Sequence, residues 1–137
     1  MRIFFRKNIA NSITILNLLL GFVSIILIAL SFVDLDSQVG LKTACLLIFL
    51  AAIIDVFDGK IARKLGVAGN FGKEFDSLAD LISFCLAPSL LIFSYYYELV
   101  NLDIKYLMII SSLPLVCGAI RLARFNTFSK QSKFNYY

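Results

Sequence analysis

The chain contains no histidine. That excludes His-based nucleophilic triads, imidazole metal ligands and imidazole acid–base chemistry. Proton transfer therefore falls to a carboxylate, a lysine, a tyrosine or a metal-bound water. Cysteine is scarce. Cys45, Cys85 and Cys117 each stand singly inside an apolar run, with no pair at metal-ligand spacing, and read as small core residues. Charged residues make up only 16% of the chain, against 60% hydrophobic residues and a mean hydropathy of +0.87. Soluble domains sit nearer ~45–50% apolar. The net charge of +4 forms no basic stripe on a soluble surface, so nucleic acid is not the expected partner. The cations lie instead between apolar runs, as topology signals do. No A-x-A site follows the first apolar run, so that run reads as a span rather than a cleavable leader.

At 137 residues the chain is one domain, an all-α polytopic bundle with four spanning helices. Residues 1–12 are basic and amphipathic, with Phe4 and Phe5 beside Arg2, Arg6 and Lys7, and are expected to form a short interfacial helix. The first span covers 13–33, with a polar edge of Asn11, Thr14, Asn17 and Gly21 within about a third of the circumference. The second starts near Leu41. Its apolar part is too short to cross alone, so it is expected to continue through Asp55 and Asp58 to about Leu65. Gly66, Gly69 and Asn70 break it. The third span runs over 71–97, with Pro88 as a potential kink and Tyr95, Tyr96 and Tyr97 as an interfacial belt. The fourth covers 104–125. Eleven of the thirteen basic residues fall on one side, leaving only Lys42 and Lys105 on the other, which places the 55–80 stretch at the cytoplasmic face.

That stretch carries the chemistry. Asp55 and Asp58 share a helix face with Gly59 and Ala62, and Gly72, Asp76 and Asp80 share a second face with Ala79 and Ser83. A carboxylate at membrane depth is costly and marks function by default. Two small-residue faces can approach closely and leave room for a ligand. Converging acids with few nearby cations, and neither imidazole nor thiolate, suit a hard divalent ion: Mg2+, Mn2+ or Ca2+. Two such ions would serve a phosphoryl-type displacement, with Arg63 and Lys64 holding phosphate oxygens. A cation- or proton-coupled carrier uses the same residue types, but the first and fourth spans do not repeat the acidic pattern of the second and third.

The pattern D-x2-D-G-x2-A-R-x8-G-x3-D-x3-D, formed by Asp55, Asp58, Gly59, Ala62, Arg63, Gly72, Asp76 and Asp80, resembles the signature of the CDP-alcohol phosphotransferase family at every fixed position. The flanks N-x2-T-x2-N-L, F-D-S-L-A-D-L-I-S-F-C-L-A-P and C-G-A-I-R-L-A-R-F-N resemble its phosphatidylserine synthase branch. The resemblance implies Asp55, Asp58 and Asp76 as metal ligands, with Asp80 joining them and acting as general base. It implies two Mg2+ or Mn2+ ions, with Ca2+ as a non-productive occupant. Gly59, Ala62, Arg63 and Gly72 would line the CDP pocket, reached from the first span by Thr14 and Asn17. Arg121, Arg124 and Asn126 are candidates for the lipid phosphate or the serine carboxylate. The implied reaction passes a phosphatidyl group from CDP-diacylglycerol to L-serine at the bilayer surface, in a homodimer. Another acceptor, glycerol 3-phosphate or an inositol phosphate, is the alternative within the family. The family pattern has six spans, so a chain with four is expected to be truncated at its C-terminus.

Overall fold

The computed structural model describes residues 2–33, 37–65, 70–100 and 103–134, with side chains described for 12–33, 38–57, 60, 71–97, 99–100 and 103–127. Every element is helical: α1 (Arg2–Ser31), α2 (Ser37–Leu65), α3 (Asn70–Asp80), a π-helical segment (Leu81–Leu86), α4 (Ala87–Leu99) and α5 (Ile104–Phe134). In a hydrocarbon solvent each backbone N–H and C=O must be satisfied inside its own segment, which leaves the helix as the only open-chain solution. Among the described residues four stretches are long and apolar enough to cross a membrane: Ser12–Ser31, Gln38–Phe57, Phe71–Tyr97 and Ile104–Thr127. This is the architecture of a multi-pass membrane protein.

Side-chain contacts give the topology. A Cβ on Gly40 of α2 would lie 3.6 Å from Leu27 O and 3.8 Å from Ser31 Cβ of α1, so these two helices form an antiparallel hairpin. Ser83 donates to Asn17 O at 3.1 Å, and the Ser31 and Ser94 hydroxyls meet at 3.1 Å, so the third span runs parallel to α1. Gly118 of α5 faces Cys85 and Asn126 faces Ser77, so α5 returns antiparallel to the third span. The C-terminal part of α2, the N-terminus of α3 and the C-terminal part of α5 therefore share one end, called here the acidic end.

The interior is built from small and hydroxylic residues. Thr14, Asn17, Ser24, Ser31, Ser83, Ser89, Ser94 and Ser111 are buried, as are Ala44, Ala51, Ala79 and Ala87. Most of the large apolar side chains face outward, among them Leu19, Phe22, Phe49, Ile109 and Leu113. Lipid is as apolar as leucine, so helices associate where small residues permit close approach rather than where large ones hide. One apolar cluster, Ile28, Leu41 and Ala44 with Leu27, Leu90 and Leu91, joins α1, α2 and α4 toward the far end.

Pro88 acts differently from a simple kink. Proline has no N–H to donate and its ring presses on the residue four earlier, here Phe84. The helix widens just before it, with Ala87 N–H reaching back five residues to Ile82 O. The expected interfacial helix also differs from what is seen. Residues 2–31 form one unbroken helix, so the basic N-terminal segment extends the first span instead of bending away as a separate element. The passage of α2 through the Asp pair to Leu65 is as expected. Of the cysteines only Cys85 is buried; Cys45 and Cys117 are exposed on the bundle surface, and all three are free.

Candidate active site

Asp55 sits near the C-terminal part of α2, and Asp76 and Asp80 lie on successive turns of α3. One carboxylate oxygen from each falls within 4.8 Å of the other two. The convergence follows from the local sequence. A spacing of four residues puts Asp76 and Asp80 on one face of α3. Ala79 beside them is fully buried and so small that α1 can press close. Asp58, Gly59, Ala62 and Arg63, expected at the same site, lie outside the residues whose side chains are described, and Asn11 does too. Gly72 is half-buried on α3, one turn before Asp76.

The acidic trio tests the metal expectation. The oxygens around a hard divalent ion at about 2.0–2.6 Å span up to about 4–5 Å across the ion, which matches a 4.8 Å cluster. Asp80 Oδ1 is buried with no hydrogen-bond partner among the described residues, an expensive state for a carboxylate oxygen unless something else meets it. Asp80 also feels the like charges of Asp55 and Asp76, and the opposite charge of Arg121. The donor set, the spacing and the orphaned oxygen all fit a divalent cation.

Beside the trio, Asp80 opens into a cavity of about 650 Å³ lined by Cys117, Ile120, Arg121, Leu122, Arg124 and Phe125. Its wall comes entirely from α3 and α5, and it brings both arginines to the acid. Thr14 and Asn17 lie buried on α1, and neither Asn17 Oδ1 nor Asn17 Nδ2 has a partner among the described residues. Asn17 nonetheless belongs to the site's frame, because its carbonyl accepts from Ser83, three residues beyond Asp80. Asn126 behaves otherwise than its neighbours on α5. Its Nδ2 donates to the Ser77 hydroxyl at 3.2 Å, and the one Ser77 proton is directed either to Lys73 O at 3.0 Å or back to Asn126 Oδ1 at 3.3 Å. That pair ties the end of α5 to α3 immediately beside Asp76. Sequence reasoning missed Ser77. Its position between Asp76 and the small face of α3 is the only signal for it.

A bundle of membrane-crossing helices with a carboxylate cluster and an arginine-lined cavity at one end defines a class of membrane protein with an acidic site at one end of the bundle. The chain belongs to the CDP-alcohol phosphatidyltransferase family, whose model matches residues 7–136. Among curated relatives, it is similar to the archaetidylserine synthase of Methanothermobacter thermautotrophicus, 37% identical over 88% of this chain and 48% of the relative. It is similar to the CDP-diacylglycerol–serine O-phosphatidyltransferases of Helicobacter pylori strain 26695, 45% identical over 65% of this chain and 36% of the relative, and of Bacillus subtilis, 38% identical over 69% and 50%. The chain thus spans half or less of the length of these relatives. No solved structure matches it significantly.

Proposed function

We propose that this chain carries the metal- and nucleotide-binding half of an enzyme that transfers a phosphatidyl group from CDP-diacylglycerol to L-serine, releasing CMP. The observation that carries the reading is the meeting of three carboxylates with an arginine-lined cavity at Asp80, in a chain that holds the complete eight-residue motif. The acceptor rests on the relatives. Their names differ in the lipid, archaetidyl or phosphatidyl, and agree on serine.

Asp55, Asp58, Asp76 and Asp80 would hold two Mg2+ or Mn2+ ions. Bound there, the ions would neutralise the pyrophosphate and the charge that develops on the leaving CMP. Gly59, Ala62 and Gly72 leave the helix faces bare, so the nucleotide can lie against backbone, with Arg63 on its phosphates and Thr14 and Asn17 at the α1 wall. The serine hydroxyl attacks the phosphorus attached to the diacylglycerol, and the bond to the CMP oxygen breaks. Asp80, with its unpartnered oxygen, takes the hydroxyl proton. Arg121 and Arg124 line the same cavity and would bind an anionic group, either the serine carboxylate or the lipid phosphate. Asn126 would serve the site through Ser77. The distribution of basic residues supports a cytoplasmic position for this end of the bundle, where a soluble acceptor and a membrane donor would meet. The homodimer belongs to the same proposal.

The test supplies the protein in lipid nanodiscs with CDP-diacylglycerol, Mn2+ or Mg2+, and serine, glycerol 3-phosphate or inositol phosphate in turn, and follows CMP release. Metal-dependent release with serine is expected. Release with another acceptor alone would overturn the serine assignment. Cation- or proton-coupled uptake without CMP release from any acceptor would favour a carrier instead.

A further inference from the structure

The end of the bundle opposite the carboxylates holds a second cavity, of about 550 Å³, between the first turns of α2 and the last turns of α4. On α4, Tyr95 and Tyr96 stand one turn nearer the helix end than Leu91 and Ile92, and on α2 the exposed Lys42 neighbours the buried Leu41, which joins Leu91 and Ile92 in the apolar floor. The floor is continuous with the apolar cluster of Ile28, Leu41 and Ala44, so it is a packed surface rather than a gap between loose helices. Lys42 is one of only two basic residues at this end of the chain.

We propose that this groove is a binding site for an anionic phospholipid of the leaflet opposite the carboxylates. The lipid phosphate would sit at the Lys42 amine and the tyrosine hydroxyls, with one acyl chain along Leu41, Leu91 and Ile92. The site is independent of the reaction proposed above: none of its lining residues reaches the carboxylate trio, and its occupant would enter from the other membrane face. Three features identify the ligand class. The volume lies in the range of small-ligand sites. The order from cationic rim through tyrosine belt to aliphatic floor matches headgroup, interface and chain. Exposed apolar residues also adjoin the groove: Leu99 lines it, and Val39 and Leu46 neighbour its lining residues Gln38 and Cys45.

Because the chain has no tryptophan, a single Leu99→Trp places a unique fluorophore on the rim. In nanodiscs containing chain-brominated lipid, brominated phosphatidylglycerol should quench it about fivefold more effectively than brominated phosphatidylcholine, the effect of one lysine on an anionic lipid. Ile109→Trp on exposed α5, close to Lys105, controls for attraction to any lysine at this end and should show a smaller preference. Adding Lys42→Gln to Leu99→Trp should remove the difference between the two rim and control positions. Equal preference at both positions, or a preference that survives Lys42→Gln, would overturn the site. Quenching by neither lipid at Leu99→Trp would show that protein, either a second copy or another segment, fills the groove, and would overturn it equally. In the unsubstituted chain Cys45 lines this groove and Cys117 lines the other cavity. Phosphatidylglycerol should therefore slow thiol labelling of Cys45 relative to phosphatidylcholine, and Lys42→Gln should remove that difference; equal labelling of Cys45 in the two lipids also counts against the site.

Discussion

Gly21→Ala is the substitution whose cost the structure states most directly. A Cβ at Gly21 would overlap Ser83 Oγ, and would lie 2.9 Å from Ser83 Cα and 3.0 Å from Ser83 Cβ. The hydroxyl can rotate away, but the Cα cannot, since it belongs to the backbone of the π-helical segment. Carbon atoms rest at about 3.5–4.0 Å, so α1 and that segment must part by roughly 0.5–1 Å. At that separation the 3.1 Å bond from Ser83 to Asn17 O stretches beyond hydrogen-bond range. Overpacking costs about 1–3 kcal/mol and the lost bond about 1 kcal/mol more. The gain in helix propensity from glycine to alanine offsets about 1 kcal/mol, leaving a net loss of about 1–3 kcal/mol. The control is Gly40→Ala, where the nearest atoms would lie at 3.6 and 3.8 Å, an ordinary contact. There only the propensity gain remains, and the change should be neutral or stabilising. Both variants can be unfolded by SDS titration in mixed micelles, with thiol reactivity of buried Cys85 as the reporter. Ser83→Ala should rescue Gly21→Ala only in part, because the backbone collision persists. A Gly21→Ala protein as stable as Gly40→Ala would refute the close approach of α1 to the third span.

The other predictions concern the acidic end. Asp76→Asn should lower CMP release by at least about 100-fold, the upper range for disturbing even an indirect metal contact, while the protein still inserts. An active Asp76→Asn enzyme would remove Asp76 from the ligand set. EDTA should abolish CMP release and added Mn2+ or Mg2+ should restore it, whereas Ca2+ should not; full activity in chelator would exclude a metal role for the trio. A double-mutant cycle on Ser77→Ala and Asn126→Ala should show coupling of about 0.5–1.5 kcal/mol in the same SDS assay. Additive effects would mean the bond from Asn126 Nδ2 to the Ser77 hydroxyl at 3.2 Å contributes nothing. A thiol reagent should label Cys45 and Cys117 in the folded protein and spare Cys85; equal labelling of all three would contradict the burial of the π-helical segment.

The four spans were legible because each needs about twenty apolar residues, a requirement set by bilayer thickness and visible in any window of the sequence. The meeting of Asp55 with Asp76 and Asp80 was legible for a related reason. Helical spacing assigns a face, and a face made of Gly, Ala and Asp has only one useful neighbour. What the sequence hid were effects of relative depth. The polar edge of α1 was visible at Thr14, Asn17 and Gly21, but not that Gly21 would face Ser83, because that depends on how two helices slide past each other. Asn126 looked like a ligand for lipid or serine, since it stands beside two arginines. Only the antiparallel return of α5 shows that it meets Ser77. Pro88 announced a local disturbance, yet whether a helix answers with a bend or a wider turn depends on what packs against it.

The serine-lined seam has a thermal consequence. The residues that become buried when α1 meets the third span include Asn17, Ser24, Ser31, Ser83 and Ser94, while most leucine, isoleucine and phenylalanine side chains, Ile28, Leu41 and Leu107 excepted, stay on the outside of the bundle. Separating the inserted helices would therefore transfer little apolar surface into water. The large positive heat-capacity change that curves the stability of a soluble domain arises from that transfer. For this bundle the free energy of helix separation within the membrane should run nearly straight with temperature, with no stability maximum near room temperature and no cold-unfolding limb.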